Sequence, residues 1–284
     1  PVSARPKSVS VSDIHTWLRD PYAIYAKKVL GLKVLRPYDT PVGYDLQGSL
    51  LHSWLEDTVR LQMDGDDRPI EELMQLLIDD QLDRHDLDEE WLLLHGRAIS
   101  KTLHNFPMFH SAALQAGGPV ALEATGQLIL KARDQVLTIS GRADRIDQGA
   151  DGVHIMDYKS GGTASMNEAQ NYSPQLFLLA LMMRDGKMEG LSTAPLHQIS
   201  YVVLKEYTEL FDTKKDEASK YLRGAALVDR LAAFQERFST WVTSQFDPQT
   251  PYVAHLAPFK RDDQGDFDDL ARRLEWMNET SSDE

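Results

Sequence analysis

The sequence predicts an α/β (α+β) fold in which a central mixed sheet, including an antiparallel three-stranded meander, is flanked by helices. Two observations predict it. Apolar residues recur at helical spacing through residues 1–116, and the pattern changes to strand-like alternation after Gly117-Gly118-Pro119. A glycine-containing stretch, residues 148–152, then joins two β-rich runs in the way a hairpin turn does.

In the N-terminal half, Ser12 is the predicted N-cap of a helix through Leu18, and a second helix over 22–30 closes at Gly31. Residues 36–45 predict a loop because they contain Pro37, Pro41 and Gly43. The further predicted helices are 48–63, 70–85 and 89–116, with a break in the last near Phe106-Pro107.

The second half begins with predicted strands over 120–131, 136–147 and 153–160, which form the meander. A strongly apolar helix over 171–184 follows, with Pro174 in its first turn. The remaining predicted elements are a strand over 197–205, a long amphipathic helix over 216–246, a loop over 248–258, and a terminal helix over 267–277 before an acidic tail.

Composition describes an ordinary globular protein of 284 residues, 42% of them hydrophobic and 26% charged. The absence of cysteine excludes disulfides, thiolate zinc sites and cysteine-bound iron–sulfur clusters, and it suits a reducing cytoplasm. No apolar run reaches the length of a membrane span. We therefore expect a cytoplasmic protein, and the absence of an initiator Met before Pro1 predicts a processed form or a piece of a longer protein.

The net charge of −14 argues against nucleic-acid binding, for which a basic surface is expected. Its distribution weakens that argument. Residues 1–36 carry seven basic and two acidic side chains, whereas residues 64–90 carry two basic and twelve acidic ones, as a solvated helical face does. Net charge therefore does not decide the partner.

The predicted hairpin brings acids and bases together. A turn centred between Ala150 and Asp151 places Asp144 opposite Asp157 and Arg142 opposite Lys159, and alternation puts all four on one face. Two opposed carboxylates repel each other, so a cation is needed between them. A divalent metal would meet that need, and so would a solvated hairpin whose Arg142 and Lys159 balance the acids.

Three side chains outside the hairpin are candidates with ordinary alternatives. His52 and Glu56 lie four positions apart on one helix face, which is also the spacing of a surface pair. Glu123 is either an exposed strand residue or a partner of the site, and Gln175 is either a cap partner or a site residue at its helix start. The chain lacks the phosphate-loop, His-Glu-x-x-His and Gly-x-Ser-x-Gly motifs, which disfavours nucleotide-driven motors, zinc proteases and α/β-hydrolases.

The motifs resemble a known family when they are taken together. Residues 141–147 (GRADRID) and 157–161 (DYKSG) resemble the RecB-type nuclease motifs of the PD-(D/E)XK superfamily. The pattern Gly48-x-x-x-His52-x-x-x-Glu56 resembles that family's N-terminal helix motif, and Pro174-Gln175-Leu176 resembles its glutamine motif. The two ends of the chain resemble those of the C-terminal nuclease domain of AddB, a subunit of the AddAB helicase-nuclease.

The resemblance implies a PD-(D/E)XK nuclease-like fold in one domain over 1–284, with a mainly helical part over 1–116, a catalytic core over 117–246 and a C-terminal extension over 247–284. It implies that His52, Asp144, Asp157 and the backbone carbonyl of Tyr158 hold Mg²⁺ or Mn²⁺. Lys159 would then position or deprotonate the attacking water and stabilise the transition state, and Gln175 would orient Lys159 or the nucleotide. Arg142 and Arg145 are implied contacts to DNA phosphates.

The implied function is metal-dependent DNA cleavage in double-strand break processing and recombinational repair, on strands delivered by an AddA-type helicase-nuclease subunit. The alternative is a nuclease-like module that binds or guides DNA without cutting it. The chain departs from the family in two ways. Leu179 stands where a Tyr often follows the glutamine motif, and the absence of cysteine removes the iron–sulfur cluster of many AddB proteins, so the chain ends must close by packing alone.

Overall fold

The structure is a computed structural model that describes residues 1–34, 44–85, 87, 89–160, 163–204, 221–257, 264–273 and 275. Residues 36–43 of the predicted loop 36–45, the predicted helix start at 216 and the acidic tail lie outside these residues, and the last two residues of that loop belong instead to a helix. In the part of the chain that the structure describes, no helix is both long and apolar enough to cross a membrane.

The N-terminal part is built mainly from helices. Its elements are strand β1 (Ser8–Ser10) and helices α1 (Val11–Arg19), α2 (Pro21–Ile24), α3 (Tyr44–Met63), α4 (Ile70–Arg84) and α5 (Glu89–Ala116). A wider π-helical turn, Tyr25–Val29, continues α2, and the chain leaves it at Gly31 with a positive φ of 69°.

The start of α1 differs from the prediction, because Ser10 rather than Ser12 is the N-cap. Ser10 Oγ accepts a hydrogen bond from the Asp13 backbone N–H, and the Asp13 carboxylate accepts one from the Ser10 backbone N–H. This reciprocal capping box satisfies two backbone donors at once. It also joins β1 directly to α1, which brings the helix start close to the sheet.

The predicted break in α5 is also wrong, because the helix runs through Pro107 without ending. Proline inside a helix costs about 3 kcal/mol through its missing N–H and its clash with the preceding turn. Pro107 is buried, and so are Phe106 and Phe109 on either side of it. The burial of these rings holds the helix together across the defect.

The sheet is mixed, as predicted. Its strands after β1 are β2 (Pro119–Ala132), β3 (Gln135–Gly149), β4 (Gly152–Lys159), β5 (Leu196–Val203) and β6 (Tyr221–Arg223). β2, β3 and β4 form the predicted antiparallel meander. β1 runs parallel to β3 and β5 runs parallel to β4, while β6 is antiparallel to β5.

The predicted hairpin register is confirmed from Gly149 opposite Gly152 to Arg145 opposite Met156. The strict alternation predicted through Asp144 is wrong. Ala143 and Ile146, three positions apart, both pack into the same core cluster, so the side-chain alternation of β3 slips at Asp144. A local irregularity of this kind redirects one side chain relative to its neighbours.

Helices cover the other face of the sheet in the C-terminal part. The predicted helix 171–184 is two helices, α6 (Met166–Tyr172) and α7 (Gln175–Arg184), with Pro174 as the N-cap residue of α7. The last helix, α8 (Gly224–Gln245), follows β6. Within the predicted helix 216–246, residues 221–223 are therefore a strand, and the helix begins at Gly224.

Two apolar clusters fix the sheet between helical layers. One packs α1, α6, α7 and α8 against strand residues such as Ile155 and Ile199, and the other packs α3, α4 and α5 against Met156 and Tyr158. A Cβ on Gly141 would lie 2.8 Å from Val11 Cγ2 and 3.0 Å from Leu179 Cδ2. The first glycine of the GRADRID motif therefore permits the close approach of α1 and α7 to β3.

The two chain ends pack against each other, as predicted. Phe267 packs with Ala23 and Ala26, Lys27 Nζ lies 3.1 Å from Asp266 Oδ2, and Tyr22 Oη donates to the Leu270 carbonyl over 3.2 Å. Of the described residues of the predicted terminal helix 267–277, residues 267–272 form consecutive turns, and residues 273 and 275 are helical.

Candidate active site

Asp144 lies where β3 has no neighbour on one edge among the strands that the structure describes. β1 pairs with β3 up to Ser140, and β4 pairs with the same edge from Arg145 onward. The stretch from Gly141 to Asp144 therefore faces a fork between two described strands. The hairpin register continues to Asp157 opposite Asp144, but the ladder ends one position before them.

The Asp144 carboxylate fills part of this fork. Its Oδ2 accepts a hydrogen bond from the Tyr158 backbone N–H over 2.7 Å and lies 3.4 Å from His52 Nδ1. Asp144 thus replaces a missing backbone partner of β4 and links the sheet to α3. His52 is brought to it by α3, whose Leu51 and Trp54 are fully buried beneath the sheet.

Asp157 is held by the end of β4 and the start of α7. Its Oδ2 lies 2.6 Å from Lys159 Nζ, and its Oδ1 accepts a hydrogen bond from Gln175 Nε2 over 2.5 Å. Alternation along β4 explains the first contact, since residues two apart share a face. The resemblance implied that Gln175 orients Lys159 or the nucleotide, whereas the described contact of Gln175 is with Asp157.

Burial and neighbouring charge perturb both acidic and basic groups here. Burial raises the pKa of Asp157 to about 6, and the negative charge of Asp144 adds to this while Lys159 opposes it. Burial disfavours the charged form of His52, but the hydrogen bond and charge of Asp144, together with the charge of Asp157, outweigh it and raise the pKa of His52. Two acids, one imidazole and one ammonium group therefore interact within a single site.

The chemistry of these side chains fits a divalent metal ion. Two carboxylates and an imidazole suit Mg²⁺ or Mn²⁺, and the buried Asp157 Oδ2 has the Lys159 ammonium group as its contact. Among the described residues, no three His, Asp or Glu side chains are arranged around one point. Asp157 contacts Gln175 through Oδ1 and Lys159 through Oδ2, while Asp144 contacts His52. The Tyr158 carbonyl remains a predicted ligand.

The two predicted DNA-contacting arginines lie in different environments. Arg145 is fully buried, bonds both Asp147 oxygens at 2.6 and 2.8 Å and donates to His110 Nδ1 over 2.8 Å. Its predicted phosphate contact is wrong, because the slip at Asp144 turns Arg145 toward α5. Arg142 is exposed over 66% of its side chain and lies 2.5 Å from Glu123 Oε2 through its Nε.

Glu123 belongs to the site more closely than an exposed strand residue would. Leu122 pairs with Arg145 and Ala124 pairs with Ala143, which places Glu123 across from Asp144. Glu123 and Asp144 themselves are not a paired position of the two strands. It has a positive φ of 52°, and burial, with the nearby charges of Asp144 and Glu56, raises its pKa. The irregular backbone of β2 at Glu123 thus lies opposite the slip of β3 at Asp144. The alternation of apolar and polar residues in the sequence does not reveal either irregularity. Glu56 itself pairs with Arg60.

Comparison with known proteins places this geometry in a family. The sequence matches the PD-(D/E)XK nuclease superfamily over residues 8–263, which include each candidate residue named above. An uncharacterized protein of Rickettsia bellii (strain RML369-C) is 28% identical over 200 residues, which are 67% of this chain and 23% of that protein. An uncharacterized protein of Rickettsia typhi (strain ATCC VR-144 / Wilmington) is 27% identical over 236 residues, 77% of this chain and 26% of that protein.

The chain spans about a quarter of the length of these curated relatives. Among solved structures, the crystal structure of SSO0001 covers 81% of this chain and 76% of its own at 11% identity, with a TM-score of 0.29. The family match extends over most of the chain and contains both the α3 helix and the hairpin. The chain belongs to the PD-(D/E)XK nuclease superfamily.

Proposed function

We propose that this chain is a divalent-metal-dependent deoxyribonuclease domain whose site is formed by His52, Asp144, Asp157, Lys159 and Gln175. Nucleases of its superfamily typically use divalent metal ions and act on DNA. The observation that carries the proposal is the meeting of two buried acids from β3 and β4 with the ammonium group of Lys159. Structural hairpins gain nothing from burying two acids beside each other.

In this proposal His52, Asp144 and Asp157 hold the ion, with the Tyr158 carbonyl as a further ligand. When bound, the ion lowers the pKa of water and neutralises charge that develops on the phosphate. Lys159 Nζ, 2.6 Å from Asp157 Oδ2, positions the attacking water and stabilises negative charge in the transition state. Gln175 holds Asp157 in place through Oδ1, which leaves Oδ2 for the ion or for Lys159.

The test compares Asp157→Ala and Lys159→Ala with wild type in cleavage of labelled single-stranded DNA in Mg²⁺ or Mn²⁺. We expect each variant to lose cleavage by at least about 100-fold, as for removal of a group that stabilises developing charge. Asp151→Asn is the matched control, since Asp151 is an exposed acid at the tip of the same hairpin. If both site variants fold and cut as well as wild type, the site is misassigned.

A DNA-binding module without cleavage is the second candidate. It is favoured by the absence, among the described residues, of three ligands around one point. Calorimetric titration with Mn²⁺ distinguishes the two. The nuclease requires a binding site that Asp144→Asn removes, whereas the module requires DNA binding that neither Mn²⁺ nor this variant changes.

The finer proposal is that the domain works in double-strand break processing with an AddA-type helicase-nuclease subunit, in the manner of AddB. It is supported by the motif order His52, Asp144, Asp157, Gln175 and by the resemblance of the chain ends. The test is degradation of blunt duplex DNA with ATP, with and without that subunit. Equal cutting of duplex ends in both reactions would argue for a stand-alone exonuclease.

A further inference from the structure

A cleft of about 550 Å³ begins at the site and extends away from Asp144. Asp144 and Gln175 form one end, where the cleft meets the fork between β1 and β4. The rest is lined by the start of α1 and by the neighbouring strands β2 and β3, through Ser10, Val11, Ser12, Thr125, Gly126, Gln127, Ser140, Gly141, Arg142 and Glu189.

The lining offers both hydrogen-bonding groups and charges. Its uncharged polar side chains are four hydroxyls and the amides of Gln127 and Gln175, and Arg142 is its one cation among the described lining residues. Glu189, the lining's other acid besides Asp144 among the described residues, accepts a hydrogen bond from Thr125 Oγ1 over 2.5 Å. No aromatic ring lines the cleft in the described part of the chain, so it has no platform on which a base would stack.

These features match the sugar-phosphate backbone of a nucleic acid better than its bases. Phosphate and sugar oxygens are bound in proteins by Ser, Thr and Gln side chains and by arginine, without information about sequence. The volume is within the range of pockets that hold a small organic ligand and suits about one or two nucleotides. The position beside Asp144 would place these nucleotides next to the reacting phosphodiester.

Arg142 has a partner that a phosphate group can replace. Its guanidinium pairs with Glu123 at the point where the cleft meets Asp144, and the Arg142 side chain is 66% exposed. The Glu123 side chain is only 15% exposed, so in this exchange the mobile Arg142 guanidinium moves while the carboxylate stays in place. A phosphate in the cleft can therefore take Arg142 away from Glu123.

We propose that this cleft binds the backbone of the substrate DNA strand on one side of the cleaved bond, and that Arg142 exchanges Glu123 for a phosphate when the strand enters. The inference rests on the proposed nuclease function. It adds the path of the strand and assigns strand-positioning roles to Gln127 and Arg142. Because Arg142 is the one cation among the described residues of the cleft, DNA binding by the cleft should depend less on salt concentration than binding by a typical basic surface does.

The experiment fills the cleft and leaves the acids untouched. Gln127→Trp places a large side chain at an exposed strand position that lines the cleft, and Ile129→Trp is its matched control two residues away on the same face. Binding of fluorescein-labelled oligo(dT) is followed by anisotropy without metal, and cleavage of the same oligonucleotide is followed with Mn²⁺.

We expect Gln127→Trp to weaken oligonucleotide binding and raise KM by about tenfold, equivalent to about 1.4 kcal/mol, with kcat within about twofold of wild type. Ile129→Trp should bind as wild type does. Unchanged binding in Gln127→Trp, or an equal loss in Ile129→Trp, overturns the inference.

Failure of the proposed function gives a different result. If wild type binds oligo(dT) and Gln127→Trp does not, but neither cuts it under any metal, the cleft assignment survives and the nuclease assignment fails. If wild type cuts and Gln127→Trp cuts with the same KM, the nuclease assignment survives and the cleft assignment fails.

Discussion

The side-chain amide of Gln175 donates a hydrogen bond to Oδ1 of Asp157 over 2.5 Å, across eighteen positions of sequence. Gln175 is the first residue of α7, and Asp157 is almost completely buried near the end of β4. The contact fixes the orientation of a carboxylate whose other oxygen faces Lys159. We therefore propose that Gln175 positions Asp157.

Removal of the Gln175 amide should lower the rate of cleavage more than DNA binding. Gln175→Ala frees the Asp157 carboxylate to rotate, and we expect kcat to fall about 10- to 100-fold while KM changes little. Steady-state cleavage of labelled single-stranded DNA measures both quantities. Gln148→Ala, at an exposed position of the hairpin, is the control. A purely structural role predicts instead a lower melting temperature with kcat unchanged in the folded fraction.

The two arginines on either side of Asp144 should differ sharply in their contribution to stability. Arg145→Met leaves the buried Asp147 carboxylate without its partner, and breaking such a pair costs about 3–5 kcal/mol. Arg142→Met removes an ion pair in which Arg142 is 66% exposed and Glu123 15% exposed, and it should cost about 1 kcal/mol, less than Arg145→Met. Urea denaturation measures both free energies of unfolding. Equal values for the two variants would contradict the burial of Arg145.

The Arg145→Met variant has a further internal check. Arg145→Met combined with Asp147→Leu removes both charges, and we expect the pair to be less destabilised than Arg145→Met alone. If the double variant loses more than the sum of the two single losses, the cost comes from packing in the core and not from an unpaired carboxylate.

Stability should fall in acid because His110 is held neutral in the folded protein. Burial, together with the positive charge of Arg145, lowers the pKa of His110 to about 3. The unfolded chain gains this proton near pH 6.5, so the contribution is complete above about pH 6.5 and is lost as the pH falls toward about 3. The buried His154, whose pKa is also lowered to about 3, acts in the same direction.

The measurement is the free energy of unfolding in urea at several pH values between 7.5 and 4.5. Each buried histidine contributes a slope of at most about 1.4 kcal/mol per pH unit. His110→Gln should reduce the slope of the unfolding free energy against pH by up to about 1.4 kcal/mol per pH unit, which corresponds to one proton. A lower free energy of unfolding at pH 7.5 in this variant does not change this expectation. An identical slope in the variant would mean that His110 is protonated in the folded state.

The glycine that begins the GRADRID motif should not tolerate a methyl group. Gly141→Ala brings a Cβ to 2.8 Å from Val11 Cγ2, so we expect a loss of about 1–3 kcal/mol from overpacking between β3, α1 and α7. Gly96→Ala, inside α5 with no atom within 4 Å of the new Cβ, should instead stabilise by about 0.5–1 kcal/mol. Thermal or urea denaturation that ranks the two variants the other way would contradict this packing.

Local chemistry made the sheet and the hairpin predictable. The glycine-flanked turn at 148–152 and the alternation of β2 and β4 fixed the meander, and the turn position alone gave the register from Gly149–Gly152 to Arg145–Met156. Short-range rules failed where packing outweighs them. Proline does not end α5 because buried aromatic side chains hold it, and Ser10 rather than Ser12 caps α1 because β1 ends there.

The sequence by itself determined that His52, Asp144, Asp157, Lys159 and Gln175 are the candidate site residues, because each belongs to a short motif of defined order. Only the tertiary structure decided how they meet. The matched irregularity at Glu123 and Asp144, the burial of Arg145, the Gln175–Asp157 contact and the cleft beside them depend on two strands slipping together and on α3 and α7 packing from opposite faces. Contacts between residues far apart in sequence are set by packing between elements. The periodicity of residues within a single strand or helix contains no information about that packing.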